Sequence, residues 1–271
     1  MNAPLTKVEL TGVPETALWN LYQRASAARA GHLDDPRAVE VLGRLDYPFE
    51  RFDVPYGGLA ARLHALRVRT VDAALRRVLA GAPDATVVAL GEGFETQFWR
   101  VDDGRLRWLA LDLPEVVAVR RVVLPDGSRN RTLAGSAADA DWTAQVDRGR
   151  PVIITAQGLL PYFERDEVHR LLTAWARLLP GAWLLFDAVT APLQAVSRRC
   201  TSSRSKYGSR PWAVMITGRS RPTWAVHSAS STEPVSVRLR GPSGSTSRRT
   251  ATTSGRSRVS QCSRPSSTRQ N

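Results

Sequence analysis

Cysteine is missing from the first 196 residues of the chain, because Cys200 and Cys262 both lie in the last quarter. That part of the chain therefore has no disulfide framework and no thiolate metal site, and no metal-ligand spacing of other residues occurs in the sequence. No stretch reaches the about 18 consecutive apolar residues of a membrane span, and the first residues contain no apolar core of signal-peptide length. We expect a cytoplasmic protein with no metal and no membrane partner.

Acidic residues are nearly missing from residues 197–271, which hold 15 of the 38 Lys and Arg residues but only one of the 25 acidic residues. The preceding 196 residues carry a net charge of −1, so the overall charge of +13 belongs to this basic tail. Basic charge attracts nucleic acid in a salt-dependent manner. The tail has only three aromatic residues and no recognition motif, so binding through it is an alternative function and no specific nucleic-acid partner is expected.

Strands and helices alternate in residues 84–196. Apolar runs predict five strands, at Thr86–Leu90, Arg107–Asp112, 132–137, 151–157 and 182–189. Helical segments follow the second strand from Pro114 and the fourth from Arg165. This alternation is typical of an α/β fold with a parallel sheet. We predict a helical cap over residues 1–83, a core over 84–196 and a tail over 197–271.

The cap ends in a long predicted helix over residues 57–83, which Gly81 and Pro83 terminate. The apolar residues predicted to form its buried side are Leu59, Leu63, Leu66, Val71, Leu75 and Val78.

The first predicted strand runs into "LGEGFET", where Gly91 and Gly93 allow a sharp turn and a close approach of a ligand to the backbone. A dinucleotide fingerprint needs a third glycine, but Thr96 stands at that position. The Gly-Lys-Ser/Thr of a phosphate-binding loop is also missing. A nicotinamide-dependent oxidoreductase is therefore the weaker alternative.

Asp112 ends the second predicted strand, 21 positions after Gly91. A carboxylate there can accept hydrogen bonds from both ribose hydroxyls of an adenosine. The alternative role of Asp112 is to cap the helix that begins at Pro114. Together with the two glycines and no phosphate-binding device, Asp112 predicts an adenosyl ligand without a phosphate, which is S-adenosylmethionine.

The segments "ALGEGFETQFWRVD" and "WLALDLPEVVAVR" resemble the leucine carboxyl methyltransferase family. "KVELTGVPETALW", "LDDPRAVEV", "TAQGLLPYFERDEVHRLL" and "GAWLLFDAV" are similar, in the same order, to its bacterial branch of polyketide O-methyltransferases. The resemblance covers residues 7–189. It implies a Rossmann-like methyltransferase sheet and the cofactor S-adenosylmethionine, with methyl transfer to an oxygen of a small-molecule acceptor.

The resemblance also implies which residues bind the cofactor. An arginine of the long helix holds the methionine carboxylate in this family, and the match falls on Arg67, with Arg69 as an alternative. Both arginines could instead belong to a solvated basic face. The other implied cofactor residues are Gly91, Gly93, Asp112, Asp139, Ala140 and Gln157. Asp139 could instead cap the following turn, and Gln157 could be a strand-end turn residue.

Methyl transfer to a carboxylate needs no general base, whereas a phenol needs one. His169 is the histidine nearest the predicted fourth strand, but its apolar neighbours favour a packing or surface role, and no catalytic residue is assigned. The acceptor is predicted to be a carboxylate, with a phenol as the alternative. Tyr162 and Phe163 could border the acceptor pocket, and Trp19 and Tyr22 of the cap could close it.

A helix and two strands normally follow the fifth strand of such a sheet, and no window of the tail has the periodicity that predicts them. Its 19 Ser, 14 Arg and single Leu leave too little apolar surface to offset the entropy of ordering, so we expect disorder. A natural basic extension accounts for the composition. A shifted reading frame in a GC-rich gene accounts for both the composition and the missing strands, and it predicts an impaired enzyme.

Overall fold

A computed structural model describes residues 4–53, 57–189, 212–218, 225–228 and 234–236. Met1–Leu239 cluster as one unit, and residues 240–271 lie outside the described ranges. The helices are α1 Glu15–Arg29, α2 Pro36–Gly43, α3 Gly57–Ala80, α4 Gln97–Val101, α5 Pro114–Val123 and α6 Arg165–Leu178. The strands are β1 Thr6–Lys7, β2 Leu45–Asp46, β3 Thr86–Leu90, β4 Arg107–Asp112, β5 Asn130–Ala134, β6 Val152–Ala156, β7 Trp183–Val189, β8 Trp212–Gly218, β9 Ala225–Ser228 and β10 Pro234–Ser236. None of the helices in these ranges is long and apolar enough to cross a bilayer.

The main sheet has the strand order β10-β9-β8-β7-β6-β3-β4-β5. Strands β3 to β7 are parallel, and β3 lies between β4 and β6. The chain adds β4 and β5 on one side of β3 and then β6 and β7 on the other side, so the strand order reverses between β3 and β6. The crevice at the carboxyl ends of these two strands is the usual ligand position in such a fold. The predicted α/β class is confirmed.

Helices cover the sheet on both faces, and the central strands therefore carry apolar side chains on both faces. All residues of β3 and β6 are buried. One face packs against α6 through Leu171 and Trp175, and the other packs against α3 through Val71 and Leu75.

Four of the five predicted strands coincide with observed strands to within one residue at each end. The third does not, because β5 spans Asn130–Ala134 and the prediction placed it at 132–137. Asn130 is buried and pairs with Trp108 of β4, so the strand begins at a polar residue that the apolar pattern did not include.

Residues 4–53 form a cap whose apolar core joins α1 and α2 to Val116 and Val123 of α5. The N-terminus of α2 is fixed by Asp35, whose side chain accepts a hydrogen bond of 3.0 Å from the backbone N–H of Ala38. Pro36 follows at the first helical position, where its missing N–H costs nothing. The cap lies next to the glycine loop that follows β3, since a Cβ atom at Gly93 would lie 2.9 Å from Ala17 Cβ.

The predicted buried side of α3 is wrong in its first half. Leu59, Leu63 and Leu66 are 59%, 45% and 54% exposed. The residues buried there instead are Ala61, His64, Ala65 and Val68. The reason is the neighbouring element: α3 packs against α1 in this half, and its small residues form a cluster with Ala27 and Leu33 of the cap. Val71, Leu75 and Val78 are buried against the sheet as predicted.

Three strands in the basic tail correct the expectation that no strand forms there. β8 pairs with β7 in antiparallel orientation, and β9 and β10 extend the sheet by two more antiparallel pairings. The range Trp212–Gly218 reads WAVMITG, an apolar β-prone run that the average composition of the tail concealed. The prediction of disorder for the other residues of 197–271 falls outside the described residues.

Candidate cofactor site

A cavity of about 320 Å³ opens at the carboxyl ends of β3, β4 and β6. Its walls come from the loops that follow these strands, from α3 and from the first turns of α1. Predicted site residues among its lining are Arg67, Gly91, Gly93, Asp112 and Gln157. These residues lie close together because the carboxyl ends of parallel strands share one edge of the sheet.

Gly91 and Gly93 both have positive φ angles, of 61° and 55°, which side chains adopt only with strain. A Cβ atom at Gly91 would lie 2.8 Å from Leu159 Cδ1, and one at Gly93 would lie 2.9 Å from Ala17 Cβ. Leu159 and Ala17 therefore occupy the space beside these two glycines that the sequence suggested for a ligand. The glycines shape the loop and let the cap and the loop after β6 approach it.

Asp112 holds this glycine loop in place. Its Oδ2 accepts a hydrogen bond of 2.5 Å from Gly93 N–H, and its Oδ1 accepts one of 2.7 Å from Leu113 N–H. Burial raises the pKa of Asp112, and the two backbone donors oppose that rise. The alternative helix-cap role is not observed, since α5 has no side-chain cap hydrogen bond.

Arg67 is buried in the wall of the cavity, and its Nε donates to Asp187 Oδ2 at 2.6 Å. Asp187 Oδ1 accepts a second hydrogen bond of 2.7 Å from Gly158 N–H, in the loop after β6. Gly158 has φ of +69°, and a Cβ there would meet Arg67 Nη2 at 3.0 Å. The guanidinium therefore lies against the Gly158 backbone.

Arg69, the alternative to Arg67, is exposed and lines other grooves of the surface. The helical period separates the two arginines, because residues two apart face in different directions. The structure brings Arg67, and not Arg69, to the cavity.

Glu92 and Arg120 form a buried pair behind the glycine loop. Arg120 Nη2 lies 3.3 Å from Glu92 Oε1, and Arg120 Nη1 donates to the Gly93 carbonyl at 2.6 Å. Trp108 Nε1 donates to Glu92 Oε2 at 2.8 Å. Burial raises the pKa of Glu92 to about 7, although Arg120 and Trp108 oppose that rise.

A second buried group of charges joins the loop to the cap. Arg24 Nη2 donates to the Phe94 carbonyl at 2.7 Å, and Arg24 Nη1 lies 3.0 Å from Glu95 Oε2. Arg100 contacts Glu95, Asp35 and Asp72 at 2.9, 2.7 and 2.8 Å. Burial alone would raise the pKa of Glu95, but Arg24 and Arg100 hold it well below its usual range. These pairs join the loop to the cap, and Arg24 and Glu95 are the members of the group that line the cavity.

Gln157 follows β6 and lines the cavity, and its side-chain amide donates to Gln97 Oε1 at 2.8 Å. Tyr162 and Phe163 also line the cavity, as predicted. The Tyr162 hydroxyl donates to Thr16 Oγ1 at 2.8 Å, so it links the loop after β6 to the first turn of α1.

Several predicted residues do not reach the cavity. Asp139 and Ala140 are exposed and lie beyond Gly135, Ser136 and Ala137, which do line it. The Asp139 side chain shows no capping bond, whereas the Ala140 carbonyl accepts from Thr143 N–H at 3.0 Å. Their role at the adenine edge stays a prediction.

The aromatic residues of α1 and the histidine of α6 also lie away from the cavity. Trp19 packs in the cap core and against His64, with ring centroids 5.8 Å apart. Tyr22 donates a hydrogen bond to Asp53. His169 is exposed on α6, which fits a surface role. The cap closes the cavity through Val13, Pro14 and Ala17 instead.

Within the described ranges no group of three or more His, Cys, Asp or Glu residues is arranged to hold a metal ion. The charged residues of the cavity are Arg24, Arg67, Glu92, Glu95 and Asp112. Sequence reasoning missed Arg24, Glu92 and Asp187. The only signal was the occurrence of charged residues within apolar segments, such as the aspartate in "WLLFDAV".

The profile of the leucine carboxyl methyltransferase family matches residues 58–176. The tetracenomycin polyketide synthesis O-methyltransferase TcmP of Streptomyces glaucescens is 34% identical over 185 residues, which are 67% of this chain and 68% of that protein. The S-adenosyl-L-methionine-dependent methyltransferase dpfgK of Gibberella zeae is 32% identical over 183 residues, 61% of each chain. The chain thus spans about two thirds of the length of these relatives.

An O-methyltransferase family protein from Burkholderia thailandensis has a solved structure similar to this one, with 20% sequence identity and a TM-score of 0.44. The similarity covers 74% of this chain and 72% of that chain. A TM-score of this size supports no inference about activity.

Proposed function

The chain belongs to the leucine carboxyl methyltransferase family and its cofactor is S-adenosylmethionine, and from this premise we propose that it methylates a carboxylate of a small polyketide-like molecule. The observation that carries the proposal is the cavity with Asp112 at one wall and Arg67 at the other. The family replaces the nicotinamide-dependent oxidoreductase that the sequence had left open.

The residues of the cavity fit the cofactor. S-adenosylmethionine has a ribose with two hydroxyls, and Asp112 offers carboxylate oxygens that already accept from N–H donors at the strand end. It also has an α-carboxylate, and the two arginines in the lining, Arg67 and Arg24, supply positive charge. The mostly apolar remainder, including Leu113 and Val116, suits an adenine ring.

We accordingly assign Asp112 to the ribose, Arg67 to the methionine carboxylate and the loop carrying Gly91 and Gly93 to the amino-acid side of the ligand. Gln157 can both donate and accept, and its position at the end of β6 supports contact with the same part of the cofactor. Asp139 and Ala140 are retained as the predicted adenine edge.

The cofactor supplies a methyl group on a positively charged sulfur. The protein's task is to align the acceptor oxygen with that methyl group and to exclude water. A carboxylate acceptor is already an anion at neutral pH, so no residue need remove a proton.

The titratable lining residues support a carboxylate over a phenol. Among the described residues that line the cavity there is no histidine, and each of the three acids is bonded elsewhere. Glu92 is bonded to Trp108 and Arg120, Glu95 to arginines, and Asp112 to backbone N–H groups. No group in this set is placed as a general base.

The test is a transfer assay with methyl-labelled S-adenosylmethionine and a matched set of fused-ring aromatics carrying a carboxylate, a phenol or both. The proposal predicts label in a product that mild base hydrolyses, because esters hydrolyse and aryl methyl ethers do not. Label found only in base-stable ethers would overturn the carboxylate.

We also propose that this chain is impaired by a shifted reading frame in its last quarter. Support comes from the 19 Ser and 14 Arg residues of 197–271 beside one Leu, a composition typical of a shifted GC-rich frame. The test is to translate the gene in its other two frames beyond codon 190. If neither frame encodes an apolar helix followed by two strands, the hypothesis fails.

A further inference from the structure

Asp187 is a buried acid that touches two residues of the cavity wall without lining the cavity itself. We propose that Asp187 is a positioning residue for cofactor binding, which sets the direction of the Arg67 guanidinium toward the methionine carboxylate. The inference rests on the proposed role of Arg67.

Both oxygens of Asp187 are used inside the protein. Oδ2 accepts from Arg67 Nε at 2.6 Å, and Oδ1 accepts from Gly158 N–H at 2.7 Å. Asp187 is 0% exposed. A fully enclosed carboxylate with both oxygens engaged cannot contact the ligand, so any effect on binding must pass through Arg67 or Gly158.

The geometry of the Arg67 side chain explains what such an effect would be. An arginine has several rotatable bonds, and its fork binds a carboxylate well only when its plane is correctly oriented. Asp187 fixes the Nε edge of the guanidinium, and the Gly158 backbone supports the Nη2 end, where a Cβ atom would come within 3.0 Å. The fork is therefore held from two sides before a ligand arrives.

Asp187 also ties this end of the cavity to the loop after β6. The same carboxylate binds Gly158, and the next residue, Leu159, packs where a Cβ of Gly91 would stand. Asp187 thereby links helix α3, strand β7 and the loop after β6. Arg67 supplies the charged group that this junction presents to the cavity.

The experiment measures, by titration calorimetry on the full chain, the affinities for S-adenosylmethionine and for decarboxylated S-adenosylmethionine. These two ligands differ only in the carboxylate. For Asp187→Asn we expect the affinity for S-adenosylmethionine to fall about tenfold, while the affinity for the decarboxylated ligand stays unchanged. A merely structural role of Asp187 would weaken both ligands alike. Equal weakening, or no weakening, overturns the proposal.

Arg67→Gln and the double variant complete the cycle. Arg67→Gln is expected to abolish the preference for the ligand with a carboxylate, and adding Asp187→Asn should change nothing further. The double variant has no unpaired buried charge, so it carries the test if Asp187→Asn does not fold. A double variant that binds either ligand more weakly than Arg67→Gln does would overturn the proposal.

The two proposals fail separately in this cycle. If Arg67→Gln leaves the preference intact, the assignment of Arg67 in the proposed function is wrong. If Arg67→Gln abolishes it and Asp187→Asn does not affect it, only the positioning role of Asp187 is wrong.

Discussion

The two ends of the cavity are held by different chemistry. At one end, Asp112 accepts from the backbone N–H groups of Gly93 and Leu113, its neighbours in the loop and along the chain. At the other end, Arg67 is held by a charged side chain, Asp187, which lies 120 positions away in the sequence. The backbone N–H groups that bind Asp112 remain when Gly93 or Leu113 is replaced by any residue other than proline. The ion pair that holds Arg67 is lost when the single side chain Asp187 is replaced.

This difference determines how much stability the protein loses when a residue at either end is replaced. Removing Asp112 leaves neutral N–H groups near a cavity that water can enter. Removing one member of the Arg67–Asp187 pair leaves a buried charge without its partner, and that costs several kcal/mol. The Arg67 end should therefore be the more sensitive to substitution, in stability as well as in binding.

The largest effect is expected for Arg67→Gln. Loss of the guanidinium leaves the buried Asp187 carboxyl without its charged partner, so we expect the free energy of unfolding to fall by about 3–5 kcal/mol. Urea denaturation followed by circular dichroism measures it. Arg69→Gln is the matched control, because Arg69 is exposed on the same helix and its change should stay within about 0.5 kcal/mol. Equal losses in the two variants would contradict the comparison.

The pattern of success in the sequence predictions has the same cause. The positions of the parallel strands and the placement of Gly91, Gly93 and Asp112 at the cavity follow from local signals, since each depends on residues close together in the chain or on a strand end. The roles of Asp187, Glu92 and Arg24 were missed because their partners, such as Arg67 and Phe94, are distant in sequence.

The exposed leucines of α3 show a second reason for failure. An apolar residue at helical spacing predicts burial only if the neighbouring element covers that face. Here α1 packs on the side of α3 that carries Ala61 and Ala65 and leaves Leu63 exposed. Likewise, β8 was missed because a short apolar run lay within a tail of polar average composition.

The next largest effect concerns Glu92, the acid of the buried Glu92–Arg120 pair. Burial raises the pKa of Glu92 from 4.5 to about 7. Between these values the folded protein keeps a proton that the unfolded chain has released, so the stability contributed by Glu92 is highest at low pH and falls as pH rises through this window.

Glu92→Gln removes that titration. The free energy of unfolding of the unsubstituted protein minus that of the variant should fall by about 3 kcal/mol between about pH 4 and pH 8. Denaturation of both proteins at a series of pH values measures the difference, from which titrations elsewhere cancel. A difference that does not vary with pH would show that Glu92 titrates normally in the folded state.

The smallest effect on stability is expected at the loop backbone. Gly93→Ala adds strain at a φ of +55° and a contact of 2.9 Å with Ala17, so we expect a loss of about 2 kcal/mol. Gly104→Ala is the control, because its φ is +88° but no atom lies within 4 Å of its added Cβ. Thermal unfolding of both variants separates strain from contact. If the loss of stability is no greater for Gly93→Ala than for Gly104→Ala, then Ala17 moves aside without cost and the contact does not constrain the loop.

The central claim is that S-adenosylmethionine binds between Asp112 and Arg67, and the most direct measurement is calorimetric titration of the cofactor into the full chain and into Asp112→Ala. Loss of the ribose hydrogen bonds should weaken binding by about 1–3 kcal/mol. Glu115→Ala, at an exposed acid on the following turn, should leave the affinity unchanged. If Asp112→Ala binds the cofactor as tightly as the unsubstituted protein does, the ribose does not lie at Asp112 and the account of the site is wrong.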